Sequence, residues 1–287
     1  MIKEKSHDKI SYTAILCARS LAENTNIPYA KEIYNILKEK KYARTNHLKF
    51  AFLLSKFFKG IQLFHAFLEA RFLSMDYTLK KLNYPNVIEV ASGLSPRGII
   101  YPGLYIETDL KNMIEIKKKV LADIFISKKD YFLEPLNILD KKQLFNIGKI
   151  YRKSNSKKPL AIIHSGLWTY LTKEEQLIMR NNIREFLKKF CKKGYWISQD
   201  FRPKSFQKNL FFKFFRGGIT KKTGRPTNRF ASEEEMISFM NAGGLKVRVL
   251  SNNSILNNLN TKKKFNLNIE DIKRQTSDMK MYIIQLK

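Results

Sequence analysis

The sequence predicts an α/β protein in which a mostly parallel, seven-stranded sheet follows an N-terminal helical segment. Three observations carry this. Residues 1 to about 84 show apolar residues at three- and four-residue spacing, the helical period. From Val87 the texture changes to short apolar runs separated by helical patterns, the signature of strand–helix alternation. The last apolar run, "MKMYIIQLK", follows a polar segment over 251–278 with no helical pattern, so it is expected to run antiparallel to its neighbour.

The N-terminal stretches "SYTAILCARSLAEN" and "HLKFAFLLSKFFKGIQLFHAFLEARFLSMDYTLKKL" read as helices, interrupted by Pro28 and "KEKKYARTN". "NVIEVAS" is strand-like, "GLYIETDL" a second strand and "NMIEIKKKVLADIF" a basic amphipathic helix. "YFLEPLNIL" reads as a third strand and "KPLAIIHSGL" as a fourth. "TKEEQLIMRNNIREFLKKFCKK" is a long helix whose Thr172 and Glu175 form a capping box and whose C′ residue is Gly194. "YWISQDF" is a fifth strand, "SEEEMISFMNAGG" a helix boxed by Ser232 and Glu235, and "LKVRVL" a sixth strand. The domain division expected is a helical cap over 1–85 and a sheet domain over 86–287, with a basic, aromatic insert over about 201–230.

Length and composition bound the rest. A chain of 287 residues, 44% hydrophobic, buries a substantial core and is not intrinsically disordered. Two cysteines, Cys17 and Cys191, make no disulfide framework. The start "MIKEKSHDKISY" has no signal-peptide pattern, and no apolar run is long enough to span a membrane, so a soluble, cytoplasmic protein is expected. The net charge of +29 attracts nucleic acid, an anionic membrane or an acidic protein. Lys, Asn, Ile and Phe are also what an A+T-rich genome encodes, so charge alone does not choose a function.

The informative stretch is "VIEVASGLSPRG". In an open parallel sheet, ligands bind beyond the carboxyl ends of the strands. Gly93 lets backbone approach a ligand, and the helix after it is expected to offer free N–H groups. The three spaced glycines of a dinucleotide site are missing. Asp109, twenty residues after Glu89 at the end of the second strand, suits ribose hydroxyls. Arg97 suits a carboxylate, because its fork binds one bidentately. A ribose together with a free carboxylate describes S-adenosyl-L-methionine.

These motifs, with "YIETDLKNMIEIKKKVL" and "IIHSGLWTYL", resemble the leucine carboxyl methyltransferase family and its polyketide O-methyltransferase-like relatives. The family's marks are G-x-D-x-R, E-V-D-L-P and E-G-L-x-x-Y-L. "KISYTAILCARSLAENTNIPYAKEIY", "ARFLSMDYTLKKL" and "NRFASEEEMISFMNAGGLKVRV" are similar to its opening, R-x-x-x-x-D and closing segments, so the likeness covers roughly residues 8–250. The resemblance implies a Rossmann-like class I methyltransferase fold and S-adenosyl-L-methionine as cofactor. It places Arg71, Arg97 and, more weakly, Arg19 near the methionine carboxylate. Glu89 and Gly93 would line the methionine amino end, Asp109 the ribose, and Asn137 and Ile138 the adenine. The bland readings stand beside these: Arg71 or Arg97 as ordinary arginines, Asp109 as a helix cap, and Glu107 as the acidic ligand if the register is off.

The chain departs from the family at Ser165, where the family has glutamate. His164 is a tempting substitute base, but neighbouring strand residues face opposite ways, which favours a structural histidine. The remaining histidines, His7, His47 and His65, have no metal-ligand spacing, and no metal is expected. Methyl transfer from a sulfonium needs alignment more than a base. A carboxylate is already ionised at neutral pH, so methyl-ester formation on a small or carrier-bound acid is the leading expectation. Hydroxyl methylation stays open, with His164, Tyr170 or Tyr12 as helpers. The insert, with its "FQKNLFFKFF" face, reads as a cover for an apolar acid, as a buried helix, or as a single-stranded RNA surface. The alternatives are therefore a tRNA or rRNA methyltransferase, or a degenerate fold serving as a binding module.

Overall fold

The computed structural model describes residues 11–42, 58–154, 158–201, 228–276 and 279–287. The aromatic stretch of the insert lies outside the described residues, as do His7, His47 and the side chain of Tyr12.

Among the described residues, three helices precede the sheet: α1 (Ser11–Asn24), α2 (Ala30–Glu39) and α3 (Lys59–Lys81). A single helical turn, α4 (Arg97–Ile100), follows β1 (Asn86–Val90). The alternation continues with β2 (Tyr105–Asp109), α5 (Lys111–Asp123), β3 (Tyr131–Pro135), α6 (Lys141–Lys153), β4 (Leu160–His164), α7 (Lys173–Phe190) and β5 (Tyr195–Ser198). It closes with α8 (Glu233–Ala242), β6 (Leu245–Ser251), α9 (Asn260–Lys264), α10 (Ile269–Thr276) and β7 (Lys280–Leu286). The sheet order is β3-β2-β1-β4-β5-β7-β6. β7 is antiparallel to both β5 and β6, as expected, although helices do precede it. Strand order reverses between β1 and β4, which makes their carboxyl ends the switch point of the sheet.

Alternation of side chains sorts the core into two layers. Ile88, Ile106, Ile162, Trp196 and Tyr282 face α6, α7 and α8, together with Met179, Phe186 and Met240. Val87, Tyr105, Ala161, Ile163 and Ile283 face the other way, onto Met75 and Leu79 of α3. The last helix of the expected cap is therefore also the helix that covers this face of the sheet. The reason is local: α4 is only four residues long, too short to shield β1.

Four expectations about elements change. The segment before β7 is not devoid of helix: α9, α10 and a 3₁₀ stretch over Asn253–Asn258 lie there. Their sparse apolar residues, Leu256, Leu259, Leu267 and Ile272, pack with Ala66 and Ala70 of α3, so tertiary burial supplies what helical periodicity lacked. α6 went unread between the third and fourth strands; Asp140 caps it through Lys142 N and Gln143 N. Gly194 is not the C′ residue of α7, whose cap is Cys191. It is glycine because a Cβ there would stand 2.8 Å from Leu187 Cδ2 and 3.0 Å from Leu160 O. The Thr172–Glu175 box is complete, whereas Glu235 accepts from Ala231 N rather than Ser232 N. No described helix is long and apolar enough to cross a membrane.

α3 is also joined to the C-terminal segment by buried polar bonds. Glu69, fully buried, accepts from Asn260 N and Thr261 N, each at 2.8 Å, and from Thr261 Oγ1 at 2.6 Å. His65 lies against Ser20 Oγ (2.7 Å) and stacks on Phe265. Burial, and after it the nearby Lys264 and Arg19, push its pKa down to about 3. The folded pKa is below the unfolded value, so stability is present above pH 6.5 and lost as pH falls toward 3. Between pH 7 and pH 5, His65 should cost about 2 kcal/mol of stability at 1.36 kcal/mol per pH unit. Denaturant unfolding of wild type and His65→Gln should show that the variant lacks this slope; parallel pH profiles would refute it.

Candidate functional site

The switch point is built from three short stretches of backbone. β1 ends in Ala91-Ser92-Gly93, where Ala91 and Gly93 both hold φ near +55°. Alanine pays roughly 1–2 kcal/mol for that conformation, so the turn is strained. At Gly93, a Cβ would also come within 3.2 Å of Ala14 Cβ, because α1 crosses directly over the turn. Asp109 at the end of β2 holds the turn: its Oδ2 accepts from Gly93 N (2.8 Å) and its Oδ1 from Leu110 N (2.7 Å). Burial raises its pKa, against the lowering effect of those two N–H groups. Asp109 therefore does not cap α5 through the N2 or N3 amide; it binds one strand end to the other.

On the β4 side, Arg71 of α3 donates from Nη2 to Ser165 Oγ at 2.7 Å. Gly166, at φ +84°, would bring a Cβ within 3.1 Å of the same nitrogen. Thus Arg71, Ser165, Gly93 and Asp109 stand at the carboxyl ends of neighbouring strands. Tyr170 lies in the 3₁₀ turn Trp168–Tyr170 just beyond; burial, and then Cys17 of α1, push its pKa up to about 12.

Other expected residues are engaged by neighbouring protein groups. Arg97 does not point into the switch point. It is 3% exposed, with Nε on Asp76 Oδ1 and Nη1 on Glu89 Oε1, both at 2.6 Å, Nη2 on Phe72 O, and its plane over the Phe72 ring. Glu89 spends its second oxygen on Tyr105 Oη (2.7 Å). Arg97 and Glu89 are thus an internal ion pair, and with Asp76 it ties α3 to β1. Glu107, the fallback acid, is fully buried beside Lys117 and Gly98 N. The first amides of α4 are taken within the protein, Arg97 N by Ser95 Oγ, Gly98 N by Glu107 Oε1 and Ile99 N by Pro96 O, so they do not form the expected rank of free N–H groups. Arg19 pairs with Glu23 (2.8 Å) on α1. Asn137 folds its Oδ1 back onto Leu139 N (3.1 Å), and Ile138 packs into the core beneath the β3–α6 loop.

His164 faces the opposite side of the sheet from Arg71, fully buried among Trp196 and Phe201, with Nδ1 3.2 Å from Asp200 Oδ2. The alternation argument against a shared pocket with Ser165 therefore holds. Asp200 is the residue that sequence reasoning missed. Its Oδ2 accepts from Gly166 N (2.6 Å) and Leu167 N (2.9 Å), and its Oδ1 lies 3.9 Å from Arg71 Nη2. The available signal was its place, one step past the fifth strand beside the switch point. Among the described residues, no group of His, Cys, Asp and Glu converges to hold a metal.

The fold is that of the Rossmann-like class I methyltransferases: seven strands, with the last antiparallel and inserted between the fifth and sixth. Over 98% of its length the chain matches 97% of a DUF574 family protein from Streptomyces avermitilis, with 11% identity and a TM-score of 0.52. A SAM-dependent methyltransferase from Anabaena variabilis shares 14% identity over 63% of this chain and 74% of its own, with a TM-score of 0.45. Human N-acetylserotonin methyltransferase, solved with SAM, shares 12% identity over 94% of this chain and 65% of its own, with a TM-score of 0.46. No family model and no curated protein matches the sequence.

Two stability measurements follow from this geometry. Arg97→Ala strands the buried Glu89 carboxylate and should cost about 3–5 kcal/mol. Arg71→Ala, whose guanidinium is part-exposed, should cost far less. Ala91→Gly relieves the left-handed strain and should stabilise by about 0.5–1 kcal/mol after the added chain entropy of glycine. Equal losses for the two arginine variants, or a destabilised Ala91→Gly, would contradict these placements.

Proposed function

We propose that the chain is an S-adenosyl-L-methionine-dependent O-methyltransferase that esterifies a carboxylate on a small or carrier-bound acid, and that it is a divergent relative of the leucine carboxyl methyltransferases. The observation that carries the reading is the company kept at the switch point. A left-handed glycine turn, an aspartate at the end of β2 and an arginine fork at the end of β4 adjoin one another. Such donors and acceptors suit a ligand with a ribose at one end and an amino acid at the other.

In this reading Asp109 serves the ribose. Each of its oxygens takes one backbone N–H and keeps a further lone-pair direction. Arg71 reads the methionine carboxylate alone, since Arg97 is occupied by Glu89 and Asp76. Gly93, at positive φ, shapes the turn beneath α1, and the part-exposed Asn137 on the β3–α6 loop borders the adenine, above the buried Ile138. Bound S-adenosylmethionine supplies a methyl group already activated as a sulfonium. The chain's residues have only to align it with the acceptor, whose oxygen forms the new bond as the carbon–sulfur bond breaks.

The described residues favour an acceptor that needs no base. Tyr170, with its pKa near 12, keeps its proton at neutral pH and can donate but not abstract. His164 is sealed on the far face of the sheet. Asp200 is held below the usual carboxylate range: burial opposes this, but the hydrogen bond from His164, the nearby Arg71 and the Leu167 N–H outweigh it. An acid, ionised above pH 5, brings its own nucleophilic oxygen. The RNA-directed and binding-module readings keep only the features that raised them, the +29 charge with the basic insert for the first and Ser165 for the second.

Titration calorimetry with S-adenosylmethionine tests the cofactor directly. Wild type should bind it, and Asp109→Ala should weaken both it and adenosine at least about tenfold, the worth of one or two hydrogen bonds to a charged group. Arg71→Ala should weaken S-adenosylmethionine by a similar factor and leave adenosine alone. Methyl incorporation from labelled cofactor should be lost on mild alkaline treatment, as an ester is. A wild type that binds neither ligand, or alkali-stable label, ends the reading.

A further inference from the structure

We propose that Asp200 is a positioning residue that aims the Arg71 guanidinium into the switch point, and thereby sets the site's preference for a ligand carrying a carboxylate. The identity of that ligand rests on the S-adenosylmethionine reading above.

The two oxygens of Asp200 divide the work. Oδ2 gathers the N–H groups of Gly166 (2.6 Å) and Leu167 (2.9 Å), which fixes the loop that carries Ser165. Oδ1 faces Arg71 Nη2 at 3.9 Å. Ser165 Oγ, on the loop so fixed, receives the hydrogen bond from the same nitrogen at 2.7 Å. Asp200 thus acts on Arg71 by charge and again through the loop. Its neighbour holds the other end of the same residue: Gln199 Nε2 donates to Arg71 O at 2.6 Å. Two consecutive residues beyond β5 therefore hold Arg71 by both its backbone and its head.

An arginine side chain loses much rotamer freedom when it is fixed. Here the cost is met before any ligand arrives, since Phe67 lies against one side of the guanidinium, Ser165 and Asp200 against others. Gly166 completes the arrangement, because any larger residue would press on Nη2. The Arg71 side chain remains 19% exposed, so the fork is oriented without being buried, in contrast to the almost wholly buried Arg97. A pre-oriented, incompletely paired fork discriminates by whether a ligand carries an anion at that point.

The test is calorimetry with S-adenosylmethionine and with adenosine, on wild type, Asp200→Asn, Arg71→Ala and the double variant, with thermal unfolding of each. Asparagine retains an acceptor oxygen for the loop and loses the charge facing Arg71. Asp200→Asn should bind S-adenosylmethionine at least about fivefold more weakly, bind adenosine as wild type does, and add nothing to Arg71→Ala in the double variant. If Asp200→Asn does not fold, Asp200→Ser takes its place in the same comparison. Asp200→Asn binding S-adenosylmethionine like wild type while Arg71→Ala does not would overturn the positioning role. So would equal loss of both ligands, which marks a purely structural residue. Full S-adenosylmethionine affinity in Arg71→Ala would overturn it too, whereas a wild type that binds no S-adenosylmethionine would instead remove the cofactor reading on which the role rests.

Discussion

Glu89 and Glu107 occupy paired positions on β1 and β2, on the same face of the sheet and almost wholly buried. Two carboxylates so placed cannot both stay ionised without compensation. Arg97 answers the first and Lys117 the second, and each cation brings backbone with it. Arg97 also bonds Asp76 and Phe72 O of α3, so the charge pair joins the helical segment to the first strand. Lys117 reaches Ser95 O from α5, and Glu107 takes Gly98 N, which pins the chain between the two strands. Gly98 is glycine because a Cβ would stand 2.4 Å from Glu107 Oε1. The switch point therefore rests on a buried charge network whose members, read singly, look like ligands.

That network explains why α3 does two jobs. Its C-terminal half covers β1 and β4 with Met75 and Leu79 and contributes Asp76 to the ion pairs. Its middle carries Arg71 to the end of β4. Its N-terminal half is joined to α9 and α10 through Glu69, Ala66 and Ala70. A boundary at residue 85 divides the sequence by texture, but packing unites 59–81 with both the sheet and the segment before β7. Lys264 of α9 in turn bonds Glu23 O and Asn24 at the end of α1, the helix that lies over Gly93.

The strands were legible because each is a short apolar run between turn residues, and the parallel order followed from their alternation with helices. Thr172 and Glu175 announced their helix by a local pattern that packing did not alter. α9 and α10 were illegible for the opposite reason: Leu259, Leu267 and Ile272 are too sparse to show a period, and only burial against α3 makes them helical. At the site, Gly93 and Asp109 were found where spacing put them, since the end of a strand is a local property. Arg97 and Asp200 were not, because the first is claimed by a carboxylate eight residues earlier and another on α3, and the second acts across two strands.

Local sequence sets the fold class and the turn at which the sheet reverses, through period and turn chemistry, both short-range. The antiparallel course of β7 agrees with expectation in outcome alone, since α9 and α10 fill the segment whose lack of helix suggested it. Which charges face one another is a matter of packing across the fold. An arginine's role depends on the nearest carboxylate, and here that partner is set by strand register and by the path of α3, neither of which leaves a mark in local spacing.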